Sequence, residues 1–262
     1  MAAFVKLALE DHTVIEVMFL RSFFSLLILI VIFKLKFFSI EKKNLKVHLL
    51  RTILGLAAMF LTFTALSVIP LSNATMISFS KIFFIIPLAF YFFKEKINLY
   101  SFLYIFIGFL GVIIVVGLDI ANTNNYIYYC YALLGAFFIA LVKILIKKIS
   151  HHEKNLNIQF WFSFFSFSFL FIPYCFLITL PTLKNFLFIA LATLFGLLAQ
   201  FFTIEGLRSS NPTVVMPFDY IRIIFSTILG MLIFSEDITF PMLIGFFVIF
   251  FSSINLLRKK ES

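Results

Sequence analysis

Apolar residues fill this chain in runs of about twenty, and charged residues collect in the gaps between the runs. The runs lie at about 14–33, 49–69, 72–93, 99–118, 126–146, 157–179, 184–206, 212–234 and 240–257. Each approaches the ~20 residues that cross a bilayer as an α-helix. None alternates apolar and polar residues as a barrel strand does, so the pattern predicts helices. Residues 1–9 are apolar but too short to span.

The gaps carry a second pattern. One set holds Lys34, Lys36, Lys42, Lys43, Lys46 and Arg51, then Lys94 and Lys96, then Lys147, Lys148 and Lys154, then Arg208, then Arg258, Lys259 and Lys260. The alternate set, at 10–13, 67–71, 119–125, 180–183 and 235–239, holds no Lys or Arg. By the positive-inside rule the first set and the C-terminus face the cytoplasm.

Composition agrees with this reading. The chain has 262 residues, is 63% hydrophobic and has only 13% charged residues, about half the globular norm. Its mean hydropathy is +1.11. A soluble domain could not hide that much apolar surface, so the chain is an all-α polytopic membrane protein. The net charge of +9 lies mostly between spans and does not call for nucleic acid as a partner. Cys130 and Cys175 each sit in an apolar run, so no disulfide framework is expected. The N-terminus lacks the basic region and cleavage site of a signal peptide.

An internal repeat appears at an offset of 141 residues. Ser22-Phe23-Phe24-Ser25 falls on Ser163-Phe164-Phe165-Ser166. Thr52, Gly55, Ala58 and Thr62 fall on Thr193, Gly196, Ala199 and Thr203, and Glu95 falls on Glu236. These small residues at helical spacing let helices approach closely. The image of a basic gap is a gap on the opposite side, so the two halves are expected to run with inverted topology. The expected division is a first repeat at 1–118 and a second at 119–262. The span at 126–146 maps onto −15 to 5. The expected plan is therefore ten helices, five plus five, with most of helix one missing from this chain; the alternative is a nine-helix protein with its N-terminus outside.

The segment Pro70-Leu71-Ser72-Asn73-Ala74-Thr75, with Phe79 and Glu95, is similar to the fourth helix of the EamA family in the drug/metabolite transporter superfamily. Pro217-Phe218-Asp219-Tyr220-Ile221-Arg222, with Phe225, Gly230, Phe234 and Glu236, resembles that family's ninth helix. The resemblance covers almost the whole chain. It implies ten helices, both termini inside, and secondary active transport of a small organic solute. Ile82 stands where family members often have proline, so a less kinked fourth helix is expected. The chain also resembles, more distantly, bacterial S-adenosylmethionine uptake transporters. The order of Asp219 and Arg222 departs from theirs and weakens any transfer of substrate.

Charges inside the spans carry the candidate chemistry. Lys81 and Arg222 are repeat images (222 − 81 = 141), each about 14–17 Å into its span at ~1.5 Å per residue. That depth is the midplane, where inverted-repeat transporters hold their solute. A buried charge there must face protein, water or a ligand. Arg222 and Lys81 are therefore expected to flank an anionic or zwitterionic group, Arg as a planar fork and Lys as a point charge. The competing structural reading is an ion pair of Asp219 with Arg222 at i,i+3. Asp219 is also the candidate proton-coupled carboxylate. Arg21 is a further site candidate, with pairing to Glu16 or snorkelling as its structural alternative. Tyr220, Gln200 and Trp161 are candidate lining residues. Glu205 is expected to pair with Arg208, Lys143 to snorkel toward the cytoplasm, and Glu95 and Glu236 to brace loops.

No HExxH, phosphate loop or in-span histidine is present, and His151-His152 lie in a solvated loop, so no catalytic residue, metal or cofactor is expected. The expected partners are a small metabolite, the lipid bilayer and a coupling proton, for a monomer in the bacterial inner membrane. A lipid or lipid-carrier flippase and S-adenosylmethionine uptake are the alternatives.

Overall fold

The computed structural model describes residues 1–33, 44–94, 99–123, 125–177, 181–210, 212–215, 221–237 and 239–258. Among them there are helices and no strands. In chain order these are α1 (Ala2–Ala8), α2 (Val14–Phe33), α3 (Leu45–Leu66), α4 (Leu71–Ser78), α5 (Lys81–Phe93) and α6 (Leu99–Thr123). Then follow α7 (Tyr126–Ser150), α8 (Asn155–Cys175), α9 (Leu183–Ser209), α10 (Pro212–Val215), α11 (Ile221–Phe234) and α12 (Phe240–Arg258).

Six segments among the described residues are long and apolar enough to cross a membrane: Val14–Val31, Leu45–Leu66, Leu71–Phe93, Tyr126–Ser150, Asn155–Cys175 and Leu183–Ser209. Leu103–Val115, Arg222–Phe234 and Phe240–Ser252 are shorter apolar helices. Phe90, Phe106, Phe202, Phe225 and Phe247 lie exposed on the outside, as a lipid-facing surface requires.

The span Leu71–Phe93 is broken at Phe79-Ser80, contrary to the expectation of a less kinked helix. The cause is not proline. Thr75 and Ser78 spend their hydroxyls on the carbonyls of Leu71 and Thr75. The backbone then tightens to three-residue hydrogen bonds, with Phe79 N–H to Met76 O, Ser80 N–H to Ile77 O and Ile82 N–H to Phe79 O. Such back-bonding bends helices, and here it separates α4 from α5 immediately before Lys81.

The packing partners follow the 141-residue offset. α3 packs on α7, and its image α9 packs on α1; α5 packs on α7, and α11 packs on α1; α6 packs on α12. Side-chain details repeat as well. Thr52 bonds the His48 carbonyl and Thr193 that of Ile189; Thr62 bonds Ala58 and Thr203 bonds Ala199. The two non-glycine residues with positive φ among the described residues are also images, Lys94 at 53° and Ser235 at 50°.

Each end of the bundle is tied by polar contacts. At one end Lys6 Nζ reaches Glu236 Oε1 at 2.8 Å and the Ile69 carbonyl at 3.1 Å. Glu236 also accepts from Leu71 N–H (2.6 Å) and from the N–H and hydroxyl of Ser72 (3.2 and 2.9 Å), capping α4. A carboxylate there meets the free amides of a helix start. Burial alone would raise the Glu236 pKa, but the hydrogen bond from Lys6 and those amides hold it below its usual value. At the opposite end Lys147 Nζ, the image of Lys6, reaches the carbonyls of Leu207 (2.8 Å) and Ser210 (3.0 Å), and Ser210 is the image of Ile69.

Candidate functional site

α2, α3, α5, α7, α8, α9 and α11 enclose a cavity of about 320 Å³, within the range of small-molecule sites. Small residues make room for it: Gly55, Ala58, Gly196 and Ala199 all line its wall. The wall is strongly biased in charge. Arg21, Arg51, Lys81, Lys143 and Arg222 line it, and no Asp or Glu does among the described residues.

Lys81 and Arg222 meet on one aromatic ring. The Lys81 Nζ and the Arg222 guanidinium each lie 5.3 Å from the Phe79 centroid. Arg222 Nη2 also donates to Ser78 Oγ at 2.5 Å. The helix break thus presents Ser78, Phe79 and Lys81 together, with Arg222 reaching across from α11. Lys81 is 3% exposed, so its charge is held away from lipid, at the cavity wall.

Arg21 lines the same cavity. It touches the sulfur of Met59 at 3.6 Å and lies 5.2 Å from the Phe63 centroid, and its Nε has no hydrogen-bond partner among the described residues. Glu16 is not its partner. Thr13-Val14-Ile15-Glu16 forms a capping box, with Glu16 accepting from Thr13 N–H (2.8 Å) and Oγ1 (3.0 Å). Gln200 lines the cavity as expected. Trp161 does not. It sits among Phe160, Phe164 and Phe165, and its neighbour Phe162 faces the cavity instead. Asp219 and Tyr220, with Pro217 and Phe218, lie outside the described residues.

Two cations of the wall were assigned elsewhere by sequence. Arg51, grouped with the loop charges, lies within α3 at 1% exposure. Its Nη1 donates to the Ile158 carbonyl at 2.6 Å and its guanidinium lies 4.8 Å from the Phe162 centroid. Lys143 also lines the cavity. The helical start at Leu45 was the missing signal: it carries His48 and Arg51 inward. His48 also lies within α3, bonded through Nε2 to Glu153 Oε2 at 2.9 Å, with Asn44 on Glu153 Oε1 at 2.7 Å. Glu205 pairs with Arg208 at 3.0 Å as expected, while Arg208 also holds the carbonyls of Ser150 and Glu153 at 2.7 Å. No group of three or more metal-ligating side chains occurs among the described residues.

The model of the EamA-like transporter family matches residues 1–117 and again 126–258. An uncharacterized transporter of Helicobacter pylori is 25% identical over 241 residues, covering 88% of this chain and 80% of its own. An S-adenosylmethionine uptake transporter of Rickettsia felis is 28% identical over 236 residues, covering 84% and 75%. The pseudopaline exporter CntI of Pseudomonas aeruginosa is 24% identical over 272 residues, covering 100% and 92%. A solved crystal structure superposes with a TM-score of 0.68 at 14% identity, over 100% of this chain and 96% of that one, and so shares the fold. With its family matched in both halves, its helices apolar and its midsection hollow, the chain belongs to the EamA-like transporter family, a multi-pass membrane protein of the drug/metabolite transporter kind.

Proposed function

We propose that the chain is a secondary active transporter that carries a small anionic or zwitterionic organic solute across the bacterial inner membrane by alternating access. The observation that carries this is the convergence of Lys81 and Arg222 on the Phe79 ring at the cavity wall. Two cations brought together beside a helix break form an anion site, since the break leaves polar backbone and hydroxyls beside the charge.

The two halves, divided near residues 118 and 119, act as inverted repeats in this reading. The exchanged packing of α3 on α7 and α9 on α1 supports it, as do the paired left-handed residues Lys94 and Ser235. The Lys6–Glu236 contact closes one end of the pathway, and its opening exposes the cavity to that side. The positive-inside reading of the basic gaps supports this end outside and the C-terminus in the cytoplasm. Asp219 is the carboxylate proposed to carry a coupling proton.

S-adenosylmethionine uptake is a second reading, favoured by the Rickettsia relative. That solute carries a sulfonium and an ammonium against one carboxylate. The five-cation wall opposes it.

The test is uptake by purified protein in proteoliposomes, run beside a scrambling assay with labelled phospholipid. Accumulation of a water-soluble anion or zwitterion supports the proposal. Lipid scrambling without solute uptake replaces it with a flippase.

A further inference from the structure

Arg51 holds its guanidinium in an unusual state. It is 1% exposed, and its Nη1 is spent on the Ile158 carbonyl. Its Nε and Nη2 have no hydrogen-bond partner among the described residues. Those two nitrogens form the side-on edge of the guanidinium, the edge that takes two oxygens of one oxyanion in parallel. The guanidinium carbon lies over the Phe162 ring, 4.8 Å from its centroid. Buried donors are nearly always paired, so an open edge on a cavity-lining arginine points to a ligand. Glu153 spends its two oxygens on Asn44 and His48.

Lys143 lines the same cavity from α7, which packs against α3. Gly135 of α7 lies against Thr62 of α3, so eight residues on along α7 and about eight back along antiparallel α3 bring Lys143 near the level of Gly55, one turn from Arg51. Arg51 and Lys143 thus line the cavity at nearly one level of the α3–α7 pair. Their repeat images are Ala192 and Ala2, so this pair of cations occurs in one half alone.

Hydroxyls specify the remainder of the solute. Ser22, Thr62, Thr193 and Thr203 line the cavity, and each gives its proton to a carbonyl of its own helix. They are left as acceptors only. Acceptors on the wall match O–H or N–H donors on the solute.

We infer that the cavity binds a phosphate monoester with a hydroxyl-bearing body, its phosphoryl oxygens taken side-on by Arg51 with Lys143 beside them. This deepens the proposed anion transport and rests on it. A dianion offsets a wall of five cations better than a monocarboxylate does, and its tetrahedral oxygens reach both residues.

The test is ligand binding to the full chain in nanodiscs of neutral lipid. The probes are glycerol 3-phosphate, glucose 6-phosphate, adenosine monophosphate, their unphosphorylated parents and S-adenosylmethionine. At least one ester is expected to bind at least tenfold tighter than its parent. Arg51→Gln is expected to raise that Kd at least tenfold, and Arg51→Lys, which keeps the charge but not the fork, by a smaller factor. Should Arg51→Gln fail to fold, Lys143→Met is expected to raise the Kd at least threefold. Esters binding no tighter than their parents, or folded Arg51 and Lys143 variants with unchanged Kd, would overturn the inference. Uptake of another anion that still needs Arg222 would then leave the transport proposal standing. Scrambling of labelled phosphatidic acid without binding of soluble esters would assign the phosphate monoester to a lipid headgroup, supporting the subsite and overturning the soluble solute.

Discussion

Lys81 and Arg222 are images under the 141-residue offset, whereas Arg21, Arg51 and Lys143 fall opposite Phe162, Ala192 and Ala2. All five line one cavity. The symmetric pair shares a ring at the helix break, where two inverted halves would meet. The asymmetric three extend the wall in one direction only. In the proposed transporter a two-fold scaffold would supply the anion site, and the departures from the two-fold would shape it to one solute. The contact at Gly196 puts this in one place: a Cβ there would lie 2.9 Å from Arg21 Nη2, while at the image position, Gly55, it would lie 2.7 Å from the Phe162 ring.

The largest expected effect breaks the symmetric pair. Arg222→Ala removes one of two cations on Phe79 and is expected to lower uptake by about a hundredfold or more, the scale of a lost charged contact of 3 kcal/mol. Membrane yield should be unchanged, and Arg222→Lys should retain part of the rate.

The next effect lies at the closed end. Glu236→Gln leaves Lys6 and the α4 amides without a carboxylate and should cost about 1–3 kcal/mol of stability, read as a lower Tm in detergent. The pH dependence follows from the depressed pKa of Glu236. Its contribution is complete above the ordinary carboxylate value of 4.5 and is lost as pH falls through the lower folded value. Wild type should lose stability over that acid window more than Glu236→Gln does.

The glycine pair sharpens the comparison directly. Gly196→Ala displaces the flexible end of Arg21 and should raise KM by about threefold with little change in Tm. Gly55→Ala pushes on the Phe162 ring and should lower stability by about 1–2 kcal/mol, as overpacking does. Equal outcomes at the two positions would remove the distinction between them. Phe79→Leu removes two cation–π contacts of about 0.5–1 kcal/mol each, on the order of 1–2 kcal/mol together, and should weaken solute affinity by about five- to thirtyfold.

Much of this was legible in the sequence, for physical reasons that also mark where reading stops. Apolar runs and loop charges are set by the bilayer, so the helices and the membrane class followed from them. Lys81 and Arg222 stood out because a charge in lipid is costly and because the offset paired them. Arg51 was hidden by its position: seven residues into α3, it looks like part of the basic gap until the start of the helix at Leu45 is known. Lys143 was read by its distance to Lys147, which says nothing of the face it occupies. Trp161 and Phe162 differ by one residue, about 100° around the axis, and the buried polar stripe Asn155, Gln159, Ser163 and Ser166 was the overlooked signal, since it sets Phe162 rather than Trp161 on the inner face of α8. The break at Phe79-Ser80 was missed because proline was taken as its signal, when Thr75 and Ser78 supply it.

The most direct test of the central site is uptake from a defined mixture of anionic, zwitterionic and cationic metabolites into proteoliposomes, with vesicle contents read by mass spectrometry. Wild type is compared with the Lys81→Ala and Arg222→Ala variants at matched protein incorporation. Accumulation of anionic or zwitterionic solutes by wild type alone is the predicted result. Equal accumulation by all three, or uptake confined to cations, would contradict a solute site built on Lys81 and Arg222.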